Sequence, residues 1–295
     1  MLLEKVKTCP VCQEKSFIPL LLCKDHSVSG ELFHVEQCAA CGMVFTNPRP
    51  TADHAGDYYQ SAQYISHSSK SSGLIDYIYL IIRHFTIKWK LNLVQPYLKT
   101  RILLDIGCGT GNFAGYCQQN NIDTYGVEPS LEARTKAKEQ NIKVFESLEK
   151  LPDVKFNVIT LWHAIEHIYD LPKALSEIRN HLADNGIIFI AVPNYESADA
   201  SHYKEYWAGY DVPRHVWHFS KKSMAALLSK SGLRIISRIP MKLDSFYVSL
   251  LSEKYKGNGN LSITGTLKAI STGIKSNWKA RKAMNYSSII YLVQR

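Results

Sequence analysis

The sequence predicts an α/β fold: a doubly wound, mostly parallel sheet covered by helices, preceded by a small cysteine-rich unit. Three observations carry this expectation. From residue 101 onward, short apolar runs alternate with amphipathic stretches, the pattern of βαβ units whose strands are buried on both faces. Ahead of that region, two Cys-x-x-Cys pairs sit in a segment without such alternation. The 295 residues, 45% hydrophobic and 21% charged, suffice to bury a real core.

The pairs are CPVC (Cys9, Cys12) and CAAC (Cys38, Cys41), with 25 residues between them. Each tight turn presents two thiolates, and four sulfurs close a tetrahedral site around Zn²⁺. Residues 1–50 are therefore expected to form a zinc ribbon on Cys9, Cys12, Cys38 and Cys41. A closed four-cysteine site is structural, so no catalytic role follows for this metal. Cys23, His26 and His34 lie between the pairs as weaker substitutes. The N-terminus shows no basic flank before an apolar run, and YIYLII (77–82) is too short to span a bilayer, so a cytoplasmic, soluble chain is expected.

Residues 51–98 read as a linker and helical lid: a polar stretch at 61–73, then a long helix over 74–98 ending near Pro96. The alternation then runs in order through strands at 101–107, 123–128, 142–145, 156–162 and 186–192. Helices are expected at 111–120, 130–140 and 171–183, with a helix at 221–232 and strands at 233–240 and 287–295 closing the 99–295 domain. Ligands of such sheets bind at the carboxyl ends of the strands.

The first strand ends in LLDIGCGTGNF (103–113). Gly107, Gly109 and Gly111 let the backbone turn sharply and approach a ligand, with free N–H groups at the following helix start. Gly109-x-Gly111-x-x-Ala114 with Glu128 downstream also satisfies the dinucleotide pattern, so an NAD(P)-dependent oxidoreductase is an alternative. Asp105 favours another ligand. A carboxylate beside the loop attracts a cationic group and repels a pyrophosphate.

LLDIGCGTGNF followed by YGVEPS (125–130) closely resembles motif I and the acidic ribose-binding loop of class I S-adenosylmethionine-dependent methyltransferases. The resemblance implies a Rossmann-like sheet with a reversed last strand. It also implies that Asp105, Gly107, Gly109 and Gly111 line the methionine end of S-adenosyl-L-methionine, that Glu128 holds the ribose hydroxyls, and that Ser147 and Leu148 border the adenine. Two departures are visible: Glu146 and Leu148 flank a serine where the family has an adjacent acidic–apolar pair, and Asn157 replaces the usual aspartate of strand four.

Strand four runs into LWHAIEH (161–167), which contains His-x-x-Glu-His, the inverted zincin pattern. That motif requires an unbroken helix, whereas His163 ends a strand and Pro172 opens the next helix. In ubiquinone-type and related small-molecule methyltransferases a similar Glu-His faces the methyl acceptor, so Glu166 and His167 are candidates to position or deprotonate it. The insertion 196–219 then contains DVPRHVWHFS (211–220). The zinc ribbon, the methyltransferase motifs and Pro-Arg-His-x-x-His-Phe together make the whole chain similar to ribbon-bearing class I methyltransferases, some of which serve sugar and cell-envelope chemistry.

That similarity implies a small-molecule or sugar-like acceptor. His215 or His218 is a candidate base, Arg214 a candidate for an acidic acceptor group, and Tyr206, Trp207 and Trp217 an apolar wall. No metal is expected on His215 and His218, because no third ligand pattern accompanies them. Ser220 is a candidate N-cap. Residues 254–295 carry eight basic residues and no acidic one, nearly the whole net charge of +9. An RNA-modifying methyltransferase is the remaining alternative, but the run lacks an aromatic–basic RNA motif, so nucleic acid is not the expected partner.

Overall fold

The computed structural model describes residues 2–59 and 86–295. The polar stretch 61–73 and the first half of the expected 74–98 helix lie outside those residues. The N-terminal unit is an antiparallel meander of β2 (Phe17–Lys24), β3 (Leu32–Cys38) and β4 (Val44–Thr46), with β1 (Leu3–Glu4) paired to β5 (Arg49–Pro50). Each cysteine pair closes the same turn. Gln13 N–H donates to the Cys9 carbonyl and Gly42 N–H to that of Cys38, both at 3.0 Å. Gln13 and Gly42 both adopt positive φ, 66° and 77°, a conformation that favours glycine at the second site.

Residues 86–94 form α1, followed by a 3-10 turn Gln95–Tyr97 around Pro96. The alternating region then gives β6 (Ile102–Ile106), α2 (Asn112–Gln119), β7 (Asp123–Val127), α3 (Leu131–Lys138), β8 (Lys143–Phe145), β9 (Phe156–Trp162), α4 (Leu171–His181) and β10 (Leu182–Pro193). After the short α5 (Ala198–Tyr203) come β11 (Trp217–His218), α6 (Lys221–Lys230), β12 (Arg234–Pro240), α7 (Asp244–Lys256), α8 (Ile263–Ala283) and β13 (Ser288–Gln294).

Seven strands form one sheet in the order β12-β13-β10-β9-β6-β7-β8. β13 runs antiparallel to both neighbours and the other pairings are parallel, so the last strand is the reversed one. Successive residues face opposite sides, as the pleat requires. Leu104, Ile159 and Ile188 pack with α4 and α6, whereas Leu103, Val158 and Phe189 pack with α1 and α2.

The first of these cores also contains Cys9, Val11, Met43 and Phe45 of the ribbon, so ribbon and sheet share one apolar interior. β11 adds to the ribbon sheet, pairing antiparallel with β4 through Trp217↔Phe45 and His218↔Val44. Trp217 and His218 of DVPRHVWHFS are thus a strand of the ribbon sheet. Its end starts α6, where Ser220 caps Ser223 N in a capping box.

The sequence reading contains no helix between residues 240 and 287, yet α7 and α8 lie there. The reason is the composition of the buried face. α8 turns Gly265, Ala269, Gly273, Ser276 and Ala280 inward, and α7 contributes the buried Ser245, Ser249 and Ser252. No large apolar residue of α8 marks that seam. Phe246 fills the space over Gly273, where a Cβ would lie 2.7 Å from its ring.

Asp199 ties these helices to the sheet. Its buried carboxylate accepts from Ser276 Oγ at 2.5 Å, Ser287 Oγ at 2.7 Å and Trp207 Nε1 at 2.8 Å. Asp199→Leu leaves three buried donors without an acceptor. Urea unfolding should show about 3–5 kcal/mol lost, since hydrogen bonds to a charged group contribute roughly 1.5–3 each and are not additive.

Candidate functional site

The carboxyl end of β6 opens into the glycine loop. Gly107 has φ 70°, and a Cβ there would strike that of Ala164 at 2.6 Å. A Cβ on Gly109 would meet nothing within 4 Å, so the loop leaves an open cradle at its tip. Glu128, just beyond β7, accepts from Gly109 N at 3.0 Å and from Ser130 N at 2.9 Å, which fixes its carboxylate against the loop. Asp105 is buried. Burial raises its pKa to about 7, against the Thr160 Oγ1 hydrogen bond at 2.7 Å and the Lys90 charge, which lower it. Ser147 and the buried Leu148 follow β8, where Ser147 precedes a 3-10 turn.

An open cradle between two carboxylates fits a ligand with a cationic end and hydroxyls at the other. Lys90 is a neighbour that sequence reasoning missed. It sits on α1 with Nζ 4.5 Å from the Trp162 ring, and burial lowers its pKa against the charges of Asp244 and Asp105. No local pattern marks it, because only packing of α1 brings it to the loop.

In the ribbon, Sγ of Cys9 lies 3.5 Å from that of Cys41, and Sγ of Cys12 lies 3.4 Å from that of Cys38. All four sulfurs fall within 4.8 Å of one another. Zn–S bonds of ~2.3 Å in a tetrahedron place sulfurs ~3.8 Å apart, so the cluster fits Zn²⁺ without rearrangement.

The third cluster lies where β9 ends. Glu166, His167 and His215 bring their side chains together, with ligand-capable atoms all within 4.8 Å of one another. His215 Nδ1 is 2.9 Å from the Gly209 carbonyl, and His167 Nδ1 is 3.0 Å from that of Arg214. A carbonyl can only accept, so both Nδ1 atoms carry a proton, and in the neutral form of either ring Nε2 is the acceptor. Glu166 is fully buried and neither carboxylate oxygen has a hydrogen-bond donor. Its Oε1 lies 4.0 Å from His215 Nε2 and 3.4 Å from His163 Nδ1, ion-pairing range without hydrogen-bond alignment. With both imidazoles neutral, none of the three groups therefore donates to another. Burial raises the Glu166 pKa, but contact with His163 and the charges of the neighbouring histidines outweigh it and hold the group low. Burial and the His215 charge push His167 down to about 4, so it is neutral near pH 7. The expectation of no third ligand beside His215 is corrected: the fold brings Glu166 and His167 to it, and the group could hold a divalent cation.

Two other expectations are overturned. Arg214 does not reach toward an acceptor. Its buried guanidinium donates to Asp25 Oδ1 at 3.0 Å, to Asp211 at 2.7 and 3.0 Å, and to the Tyr58 carbonyl at 3.0 Å. His218 is no base either: it lies buried in β11, Nε2 3.1 Å from Thr46 Oγ1, and burial with the His215 charge lowers its pKa to about 3. Thr46 Oγ1 donates to the His215 carbonyl, so His218 Nε2 is the donor in that contact. The tryptophans are structural as well, with Trp207 held by Asp199 and Trp217 Nε1 donating to the Ile168 carbonyl at 2.6 Å.

His163 is the other residue that the sequence reading left unassigned. It adopts φ 55° and bridges Glu166 to Asp244 on α7, 3.2 Å from Nε2. Burial lowers its pKa, but the two carboxylates prevail and raise it to about 9.

Residues 82–238 match a family described as a methyltransferase domain. A ubiquinone biosynthesis O-methyltransferase of Pelagibacter ubique is 28% identical over 188 residues, 59% of this chain and 76% of that protein. An uncharacterized protein of Methanocaldococcus jannaschii is 33% identical over 101 residues; these cover 34% of this chain and 44% of that protein, less than half its length. Among solved structures, a SAM-dependent methyltransferase from Archaeoglobus fulgidus superposes with TM-score 0.50 at 19% identity, over 72% of this chain and 94% of its own. The magnesium protoporphyrin IX methyltransferase of Synechocystis PCC 6803, solved with bound SAH, gives TM-score 0.50 at 13% identity over 81% and 97%. At such identities the likeness is one of fold.

Arg214→Met strands Asp25 and Asp211 without a counter-charge. Chemical denaturation at pH 7 should show a loss of about 3–5 kcal/mol. Both carboxylates are held below their ordinary pKa in the native chain, so the deficit should shrink as pH falls through the carboxylate range. His163 titrates with the opposite sign. Its stabilising contribution is complete below the unfolded value of ~6.5 and is lost as pH rises through about 9. The stability gap between the native chain and His163→Gln should therefore be full at about pH 6 and close by about pH 10; a gap independent of pH would refute the paired imidazolium.

Proposed function

The chain belongs to the methyltransferase-domain family and is an S-adenosylmethionine-dependent methyltransferase, and on that premise we propose that it methylates a hydroxyl of a small, sugar-like acceptor. The observation that supports this reading is the convergence of acceptors at Glu166, His167 and His215. A polyol brings the donors that such a cluster lacks. When bound, S-adenosylmethionine supplies an electrophilic methyl group on a cationic sulfur. Asp105, Gly107, Gly109, Gly111, Glu128, Ser147 and Leu148 are the residues proposed to hold it. Most of the rate then comes from holding the hydroxyl oxygen against the methyl.

His215 is the proposed base. Its Nε2 takes the hydroxyl proton as the oxygen attacks, and the carboxylate of Glu166, 4.0 Å away, stabilises the imidazolium that forms. Neutral His167 orients the acceptor through Nε2. Arg214 and His218 have no contact with the acceptor in this reading and instead hold the loop that presents His215. The ribbon cysteines are proposed to bind one structural Zn²⁺. A second reading rests on the same convergence. A divalent cation on Glu166, His167 and His215 would polarise the hydroxyl in place of a free base, with imidazole and carboxylate ligands suited to Mn²⁺ or Zn²⁺.

Calorimetry with S-adenosylhomocysteine tests the premise, and Asp105→Ala should weaken that binding. His215→Ala should lower turnover of a methyl-accepting sugar by roughly 10²–10⁴-fold while cofactor affinity stays nearly intact. Equal losses in both would make the segment a scaffold. Turnover that rises with added Mn²⁺, and no longer does so in Glu166→Gln, would favour the cation reading. Elemental analysis should find zinc bound to the purified chain and lost from Cys12→Ser; zinc-free wild-type protein would overturn the ribbon assignment.

A further inference from the structure

α8 is inverted relative to a surface helix of a globular protein. Its five buried positions are Gly, Ala or Ser, while its large apolar residues face outward. Ile263, Leu267, Ile270, Ile274 and Trp278 are 83, 63, 43, 56 and 67% exposed. Their spacing of four, three, four and four residues places them in one stripe along the helix. Lys268, Lys275, Lys279 and Lys282 follow the adjoining flank, and Arg281 continues the stripe at its end. No acidic residue occurs from 254 to 295.

From this geometry we propose that α8 is a peripheral membrane anchor that lies in the interface of an anionic lipid surface. The stripe enters the acyl boundary and the lysines reach the headgroups, their stems covering apolar surface as long cationic side chains do. The helix cannot cross the bilayer: no helix among the described residues is long and apolar enough, and lysines interrupt this one. A second copy is a poor occupant, because a two-fold contact along the stripe brings like-charged rows together with no acid to offset them. RNA is also a poor fit. Four of the five stripe residues are aliphatic and cannot stack with bases. The packing supports the same role. The seam with α7, closed by small residues, fixes the helix without using its large side chains, which leaves every one of them for an external phase.

The test is co-sedimentation of the full chain with phosphatidylcholine vesicles, with and without phosphatidylglycerol. Binding is expected to the anionic vesicles, to fall as salt rises, and to be weak on neutral ones. Replacing both Leu267 and Ile274 by Glu should reduce partitioning by more than about tenfold. Lys275→Gln and Lys279→Gln should each reduce it by roughly fivefold. Both sets lie on the exposed face, so S-adenosylhomocysteine affinity and the circular dichroism spectrum should not change; this separates loss of lipid binding from loss of fold. Trp278 fluorescence should shift to the blue with vesicles, and that shift should vanish in Trp278→Phe. The proposal is overturned by no anionic-vesicle binding, by binding that ignores these substitutions, by a lipid-free dimer that the two glutamates dissolve, or by RNA binding through the lysines without lipid binding.

Discussion

The buried Arg214 guanidinium holds together the parts from which the rest of the molecule is assembled. It joins Asp25 of the ribbon to Asp211 of the insertion, with the guanidinium and Asp25 nearly removed from water and Asp211 partly buried. A charge in that position is tolerable only because two carboxylates and two backbone carbonyls surround it. Its geometry therefore fixes how the ribbon docks, how β11 meets β4, and where the next residue, His215, points.

With that loop fixed, the chemistry of the site follows from what backbone carbonyls do to two imidazoles. Gly209 and Arg214 each accept a hydrogen bond from one Nδ1, which leaves Nε2 of His215 4.0 Å from a carboxylate without an aligned donor. At the neighbouring strand end the glycine loop presents an open cradle beside Asp105 and Glu128. The two strand ends thus differ: carboxylates beside the glycine loop favour positive charge, and a buried carboxylate with two imidazoles lies at the other.

The features legible in the sequence are those encoded by short spacing. The glycine loop with Asp105, the two cysteine pairs and the strand–helix alternation lie within a few residues of their own partners. α7 and α8 were invisible because periodicity is sought in large apolar residues, and here the buried seam is Gly, Ala and Ser. Arg214 and His218 were misread for a different reason. Their partners, Asp25 and Thr46, lie 189 and 172 residues away. A polar residue in a dense motif looks reactive until its partner is known.

The sequence by itself determined the strand–helix alternation of the α/β sheet, the glycine loop after its first strand and the paired-cysteine turns. Backbone turns and strand period are local properties, and those residues need only their neighbours to adopt them. The tertiary structure alone decided which of the polar residues in DVPRHVWHFS are consumed as scaffold and which stay available. That division depends on burial and on hydrogen-bond partners brought from distant elements. It left His215 facing Glu166 and His167, sealed Arg214 and His218 into the ribbon contact, and turned the apolar stripe of α8 outward.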